Sequence, residues 1–152
     1  MMKISLQPYT LQRCHEFWQN YEADPDMMDS SFTYDPDWVE RYFHGKCQES
    51  NRRYFAICAD ETVIGEIQLK YINMDEKSAV LSVHLNSACY KNRGFGTEAQ
   101  RQMIAYGFEQ LGLRKIYADC LHRNQRSRHI LEKLGFRHLH SDDTFHYFVL
   151  ER

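Results

Sequence analysis

Two glycines one residue apart, set between a strand-like run and a helix-like run, constrain this chain more than any other feature. The segment is Tyr90-Lys91-Asn92-Arg93-Gly94-Phe95-Gly96-Thr97-Glu98-Ala99. Glycine reaches backbone angles closed to other residues and lets a ligand come close to the main chain. A loop of this kind gathers several N–H groups at a helix N-terminus. Unpaired donors and partial positive charge there favour phosphate. Thr97 and Gln100 have capping-box spacing, which places the start of the helix at Thr97. The loop is read as the grip on a phosphorylated cofactor, although a glycine pair by itself also suits a plain strand-to-helix turn. It lacks the Gly-Lys-Ser/Thr sequence of a nucleotide-hydrolysing P-loop.

A second segment, Asn124 to Phe136, narrows the reading. Asn124 is a natural N-cap, Ile130, Leu131 and Leu134 give the helix an apolar side, and Gly135 suits a left-handed C-terminal position. The two segments together resemble the GNAT superfamily of acyl-coenzyme-A-dependent N-acetyltransferases. The family's loop reads Gln or Arg, two residues, Gly, one residue, then Gly or Ala. Its later helix opens on Asn and ends in Leu-Gly-Phe. Gly94, Gly96, Asn124 and Leu134-Gly135-Phe136 match, while Lys91 replaces the Gln or Arg and keeps the charge. The stretch Phe108 to Leu113 and the later helix look most like the ribosomal-protein N-terminal and polyamine acetyltransferase branches.

The resemblance implies a fold, a co-substrate and site roles. The fold would be one α/β (α+β) domain over residues 1–152, with a mixed, mostly antiparallel central sheet and helices on both faces. Acetyl-CoA would lie with its pantetheine arm along the backbone of Val83 and Leu85. Its pyrophosphate would meet the amides of the loop, taken as Lys91, Asn92, Arg93, Gly94, Phe95, Gly96 and Thr97. Asn124 would touch the pantetheine. The helix tyrosine that protonates the departing thiolate in many members is missing here. Ser127 resembles a serine found in the ribosomal branch and is the candidate to orient the sulfur or relay a proton; bonding local backbone is its plainer role.

The periodicity of the rest fits such a domain. Strands are expected at Ile4–Gln7, Tyr54–Ala59, Thr62–Ile72, Ala79–Asn86, Arg114–His122, Arg137–His140 and Thr144–Leu150, and helices at Leu11–Tyr21, Pro36–Cys47, Thr97–Leu111 and Asn124–Leu134. In the long third strand Val63, Gly65, Ile67, Leu69 and Tyr71 alternate with Ile64, Glu66, Gln68 and Lys70. A hairpin centred on Asp75 puts Glu66 opposite His84, an arrangement that a one-residue slip would undo. Acetyl transfer needs the acceptor amine as free base, and hence a carboxylate or imidazole to take its proton. Glu66 and His84 are the candidates, because each interrupts an otherwise apolar central strand. A solvated sheet face is the plainer account of Glu66, Gln68 and Lys70.

The acidic stretch from Glu22 to Asp37, with Tyr21, Phe32, Tyr34 and Trp38, is expected to shape an acceptor site for a cationic amine. The acceptor would be a protein N-terminus, a polyamine or another small amine. His138 and His140 share one face of a short strand; without a third ligand they are read as a surface pair, and no metal is expected. Packing explains Tyr147 more simply than proximity to the acetyl group. A net charge of −2 gives no basic surface for nucleic acid. Five cysteines without disulfide or zinc spacing point to a reducing compartment. No signal sequence or spanning segment is visible, so a cytoplasmic enzyme away from membranes is expected. A homodimer is possible on the family resemblance alone. The rival reading is an acyl-CoA-binding sensor without turnover.

Overall fold

The computed structural model describes residues 2–23 and 32–152. In chain order the elements are β1 (Ile4–Pro8), α1 (Leu11–Gln19), α2 (Pro36–Tyr42) running into a π-helical turn (Phe43–Cys47), β2 (Arg53–Ala59), β3 (Thr62–Asn73), β4 (Ser78–Leu85), a 3-10 turn (Ala88–Tyr90), α3 (Phe95–Glu109), β5 (Lys115–Leu121), α4 (Gln125–Lys133), β6 (Arg137–Ser141) and β7 (Phe145–Glu151). Local chemistry sets the helix starts. Thr10 accepts from the Arg13 amide, Asp35 from the Asp37 amide ahead of Pro36, and Asn124 from the Ser127 amide.

The seven strands form one sheet in the order β1-β2-β3-β4-β5-β7-β6. All pairings are antiparallel except β4 with β5. That parallel pairing covers only Ser78–Val80 against Lys115–Tyr117, after which the two strands diverge. One cluster, with Ile57, Ile67, Leu69, Leu81, Ile116 and Phe148, packs under α3 and α4 through Ala99, Met103 and Leu131. A second, on the other face, joins Phe17, Trp18 and Val39 to Tyr54, Ala56 and Cys58. Each fully buried Ile, Leu or Phe in these layers contributes about 1.5–3 kcal/mol.

Four details depart from the sequence pattern. A bulge opposite Ile57 and Cys58 skips Ile64 in the pairing with β2. The extra residue reverses the alternation locally: Ile64 joins the α3 side and Val63 the α1 side, opposite to their expected faces. The second helix stays regular only to Tyr42 before widening into the π turn. Helix α3 starts at Phe95, two residues before the expected point. Its N-cap is Gly94, in the left-handed region at φ 80°, without a side-chain cap. Thr97 is therefore already inside the helix and forms no capping box, while Gln100 Nε2 donates to the Gly96 carbonyl. Finally, a bulge between His138 and His140 puts them on opposite faces. His138 lies edge-on to Phe148, whereas His140 stacks on Tyr147, the next residue along β7.

Candidate active site

The divergence of β4 from β5 opens a gap through the middle of the sheet. Beyond Val80 the β5-facing edge of β4 has no strand partner among the described residues. Its backbone from Leu81 to Leu85 thus offers donors and acceptors in an extended line, suited to an amide-bearing chain. A cleft of about 290 Å³ runs along this edge beneath the α3 loop. Val83 and Leu85 line it, with Lys91, Asn92, Gly94, Phe95, Gly96 and Thr97 from the loop and Asn124 and Ser127 from the start of α4. Arg93 is the loop residue that turns elsewhere, lying 4.7 Å from the Phe95 ring centre and lining a separate hollow with Met2 and Ile4. Burial, with the nearby Arg126 charge, pushes the Lys91 ammonium down to about 8.

On the opposite face of the sheet a second cavity, also about 290 Å³, has Glu66 and His84 among its lining residues. A third, of about 270 Å³, passes between β4 and β5 and reaches Ser127 and Asn124 on one side, Lys70 and Asp119 on the other. Val83 borders all three. The three cavities therefore adjoin at Val83, from the loop cleft to the Glu66 side of the sheet.

Glu66 is opposite His84, as the register centred on Asp75 requires, and the offset holds from Gly65/Leu85 to Lys70/Val80. The Glu66 side chain is 8% exposed. Tyr9 Oη donates to its Oε2 at 2.7 Å and Tyr42 Oη to its Oε1 at 2.8 Å. His84 Nδ1 lies 3.8 Å from Oε1, and its Nε2 is 3.3 Å from Tyr21 Oη. Burial, and next the Glu66 charge, raise both Tyr9 and Tyr42 far above the ordinary phenol value, so both remain donors. Glu66 is accordingly not part of a solvated face.

Tyr9, Tyr42 and Tyr54 escaped the sequence reading. Tyr9 and Tyr42 reach Glu66 across 57 and 24 residues of chain, a distance over which periodicity carries no signal. The aromatic residues expected to line the acceptor pocket are arranged differently. Trp18, Phe32 and Trp38 pack on one another, and Tyr42 and Tyr54 line the cavity instead. Of the acidic stretch, Asp24, Asp26 and Asp29 lie outside the described residues, as does Pro25. Tyr147 Oη donates to Asp142 Oδ2 at 2.7 Å at the surface. Among the described residues no three His, Cys, Asp or Glu side chains come together as a metal site.

An open-sided sheet with a glycine loop feeding a helix beside the split, and a buried carboxylate across it, defines an acyl-CoA-type transferase fold. The model of the acetyltransferase (GNAT) domain matches residues 3–137, and the chain belongs to that family. Among curated proteins it is similar to the spermidine N(1)-acetyltransferase of Escherichia coli K12, with 30% identity over 100 residues, 66% of this chain and 51% of the relative. The chain thus spans about half the length of that relative. It also matches acetyltransferase PseH of Campylobacter jejuni at 26% over 137 residues, 89% of this chain and 82% of PseH. Among solved structures, PseH in complex with acetyl coenzyme A superposes with a TM-score of 0.76 at 20% identity, covering 99% of each chain. The dodecameric spermidine N-acetyltransferase of Vibrio cholerae gives 0.76 at 18%, over 97% of this chain and 93% of that one. At such identities the structural likeness speaks for the fold.

Proposed function

We propose that the protein is an acetyl-CoA-dependent N-acetyltransferase acting on a primary amine by direct attack on the thioester. The observation that carries this reading is the set of cavities adjoining at Val83, with the phosphate-type loop lining the first and Glu66 the second. The loop amides and Lys91 hold the pyrophosphate of the co-substrate, and the open edge of β4 at Val83 and Leu85 pairs with its pantetheine. The Asn124 side chain also caps α4, and the helix start presents Ser127 toward the gap. Acetyl-CoA supplies the activated carbonyl carbon. Glu66, with His84 beside it, takes the proton released from the attacking amine, directly or through water. The new bond is C–N, the bond lost is C–S, and Ser127 orients the departing sulfur or passes it a proton.

The acceptor is a protein N-terminus, a polyamine or another small amine; spermidine acetyltransferases are among the relatives. The protein works as a one-domain cytoplasmic enzyme, for which a homodimer is one possible assembly. No helix among the described residues is long and apolar enough to cross a membrane. The test is calorimetric titration with acetyl-CoA, followed in the same sample by thiol release with mixed amines and N-terminal peptides. Binding with thiol release from one amine class is expected. Binding without release from any acceptor would favour the sensor reading, and no binding would overturn the assignment of the loop.

A further inference from the structure

The lining of the proposed acceptor cavity carries more cations than carboxylates. Glu66 is the sole carboxylate among its described lining residues, while Lys46 and Lys70 both border it. Glu66, Gln68 and Lys70 alternate along β3 on one face, so Lys70 sits about 13 Å along the strand from Glu66 at about 3.3 Å per residue. Lys46 enters from the π turn after α2. Among the described residues neither ammonium makes an ion pair within 4 Å, although the Asp119 carboxylate, which borders the adjoining cavity with Lys70, interacts with it. Each lies over a tyrosine ring, Lys46 Nζ 5.8 Å from Tyr42 and Lys70 Nζ 5.5 Å from Tyr71. The third cation nearby, Arg52, is engaged by Glu49 at 3.1 Å and by Gln68 at 2.9 Å.

We infer that the acceptor bears an anionic group, carboxylate or phosphate, which Lys46 and Lys70 hold while its amine lies at Glu66. This rests on the proposed transfer reaction and narrows its acceptor, setting aside the polyamine and the cationic amine expected of the acidic stretch. An amine with a second ammonium at that reach would bring like charges together at the two lysines, whereas an anion gains charge-assisted hydrogen bonds. The span, on the order of 10 Å, excludes the shortest amino acids and suits an amino sugar phosphate or a longer amino acid.

The test compares hexylamine, 6-aminohexanoate and 1,6-diaminohexane, which share a chain and differ in end charge. Glucosamine and glucosamine 6-phosphate form the phosphate arm. The ratio of kcat/KM for the aminohexanoate over the diamine is expected to be about tenfold or more, the size of a hydrogen bond to a charged group discounted for exposure. Lys46→Gln and Lys70→Gln should each bring the ratio toward one, and Lys70→Glu should invert it. A wild-type preference for the diamine, or a ratio unmoved in the lysine variants, would overturn the inference. If no amine releases thiol, acceptor calorimetry on the CoA-loaded protein decides. Tighter binding of the anionic amines, weakened in the lysine variants, would support the inference while the transfer reaction falls. Equal binding of anionic and cationic amines would sink it.

Discussion

Glu66 Oε1 lies 3.8 Å from His84 Nδ1 across the β3–β4 pair, and the same oxygen accepts from Tyr42 at 2.8 Å. The carboxylate is thus held from the strand beside it and from α2 above it. Glu66→Gln keeps the shape and removes the proton acceptor. Acetyl-CoA affinity should stay within about twofold, while the transfer rate falls about 100-fold, a usual contribution for a general base. Single-turnover thiol release at saturating acceptor measures this. An unchanged rate would move the role of base to His84.

The phenols on Glu66 give a second expectation. Tyr42→Phe leaves Oε1 without that donor while preserving the ring stacked on Trp38. Leaving a buried acceptor short of a partner costs about 1–3 kcal/mol. The variant should unfold at lower urea, and transfer should slow as the carboxylate loses its fixed orientation. Chemical denaturation and initial rates test both effects. A variant as stable as the parent would show that water replaces the phenol.

The opposition of Glu66 and His84 was legible because antiparallel register follows from the turn position, and the turn around Asp75 is marked in the sequence. Lys91, Gly94, Gly96 and Asn124 were legible for a similar reason: a loop, a cap and a helix end are local chemistry. The bulge at Ile64 was not, since nothing in an alternating apolar run shows where a residue will be skipped. Nor was the true start of α3, because the backbone angle of Gly94 overrides the capping-box spacing of Thr97 and Gln100. The tyrosines around Glu66 depend on contacts distant in sequence, and the bulge that separates His138 from His140 is set by pairing with β7.

Gly65 sits where β3 leaves no room for a side chain beside β4. A Cβ there would meet the His84 carbonyl at 2.9 Å and the side chains of Ile57 and Leu85 at 3.0 Å. The backbone contact cannot yield as a side-chain tip can. Gly65→Ala should cost about 1–3 kcal/mol of stability and disturb His84. Thermal unfolding gives the first effect and the transfer rate the second. An unperturbed melting temperature would mean that the strands can separate slightly without loss.

Gly94 differs, because an added Cβ meets nothing within 4 Å but the residue holds φ at 80°. Backbone conformation and ligand approach, rather than packing, should decide its variants. Gly94→Asn, which tolerates left-handed angles, should fold nearly as well as the parent; Gly94→Val should lose about 1–2 kcal/mol. Both should weaken acetyl-CoA binding at least about tenfold if the main chain must meet the pyrophosphate. Calorimetry on the folded asparagine variant separates the causes. Full affinity there would remove the loop from the cofactor site.

Lys91, if it meets the pyrophosphate, should set the pH dependence of that binding. In the free protein its ammonium is depressed to about 8, first by burial and then by Arg126. For folding, the sign is fixed by the unfolded chain holding this proton to higher pH: stability from Lys91 increases as pH rises from about 8 toward the ordinary lysine value. For binding, the sign reverses. A pyrophosphate beside Lys91 favours its charged form, so the complex holds the proton to higher pH than the free protein. Affinity should be fully present below pH 8 and fall by up to about tenfold per unit as pH rises above it. At pH 8.5 acetyl-CoA should take up more than about half a proton, read from binding enthalpies in two buffers of different ionisation heat. Lys91→Gln should bind more weakly and lose this uptake, whereas Lys91→Arg should keep the affinity and lose the uptake. An uptake that survives in both variants would assign the proton to another group at the loop.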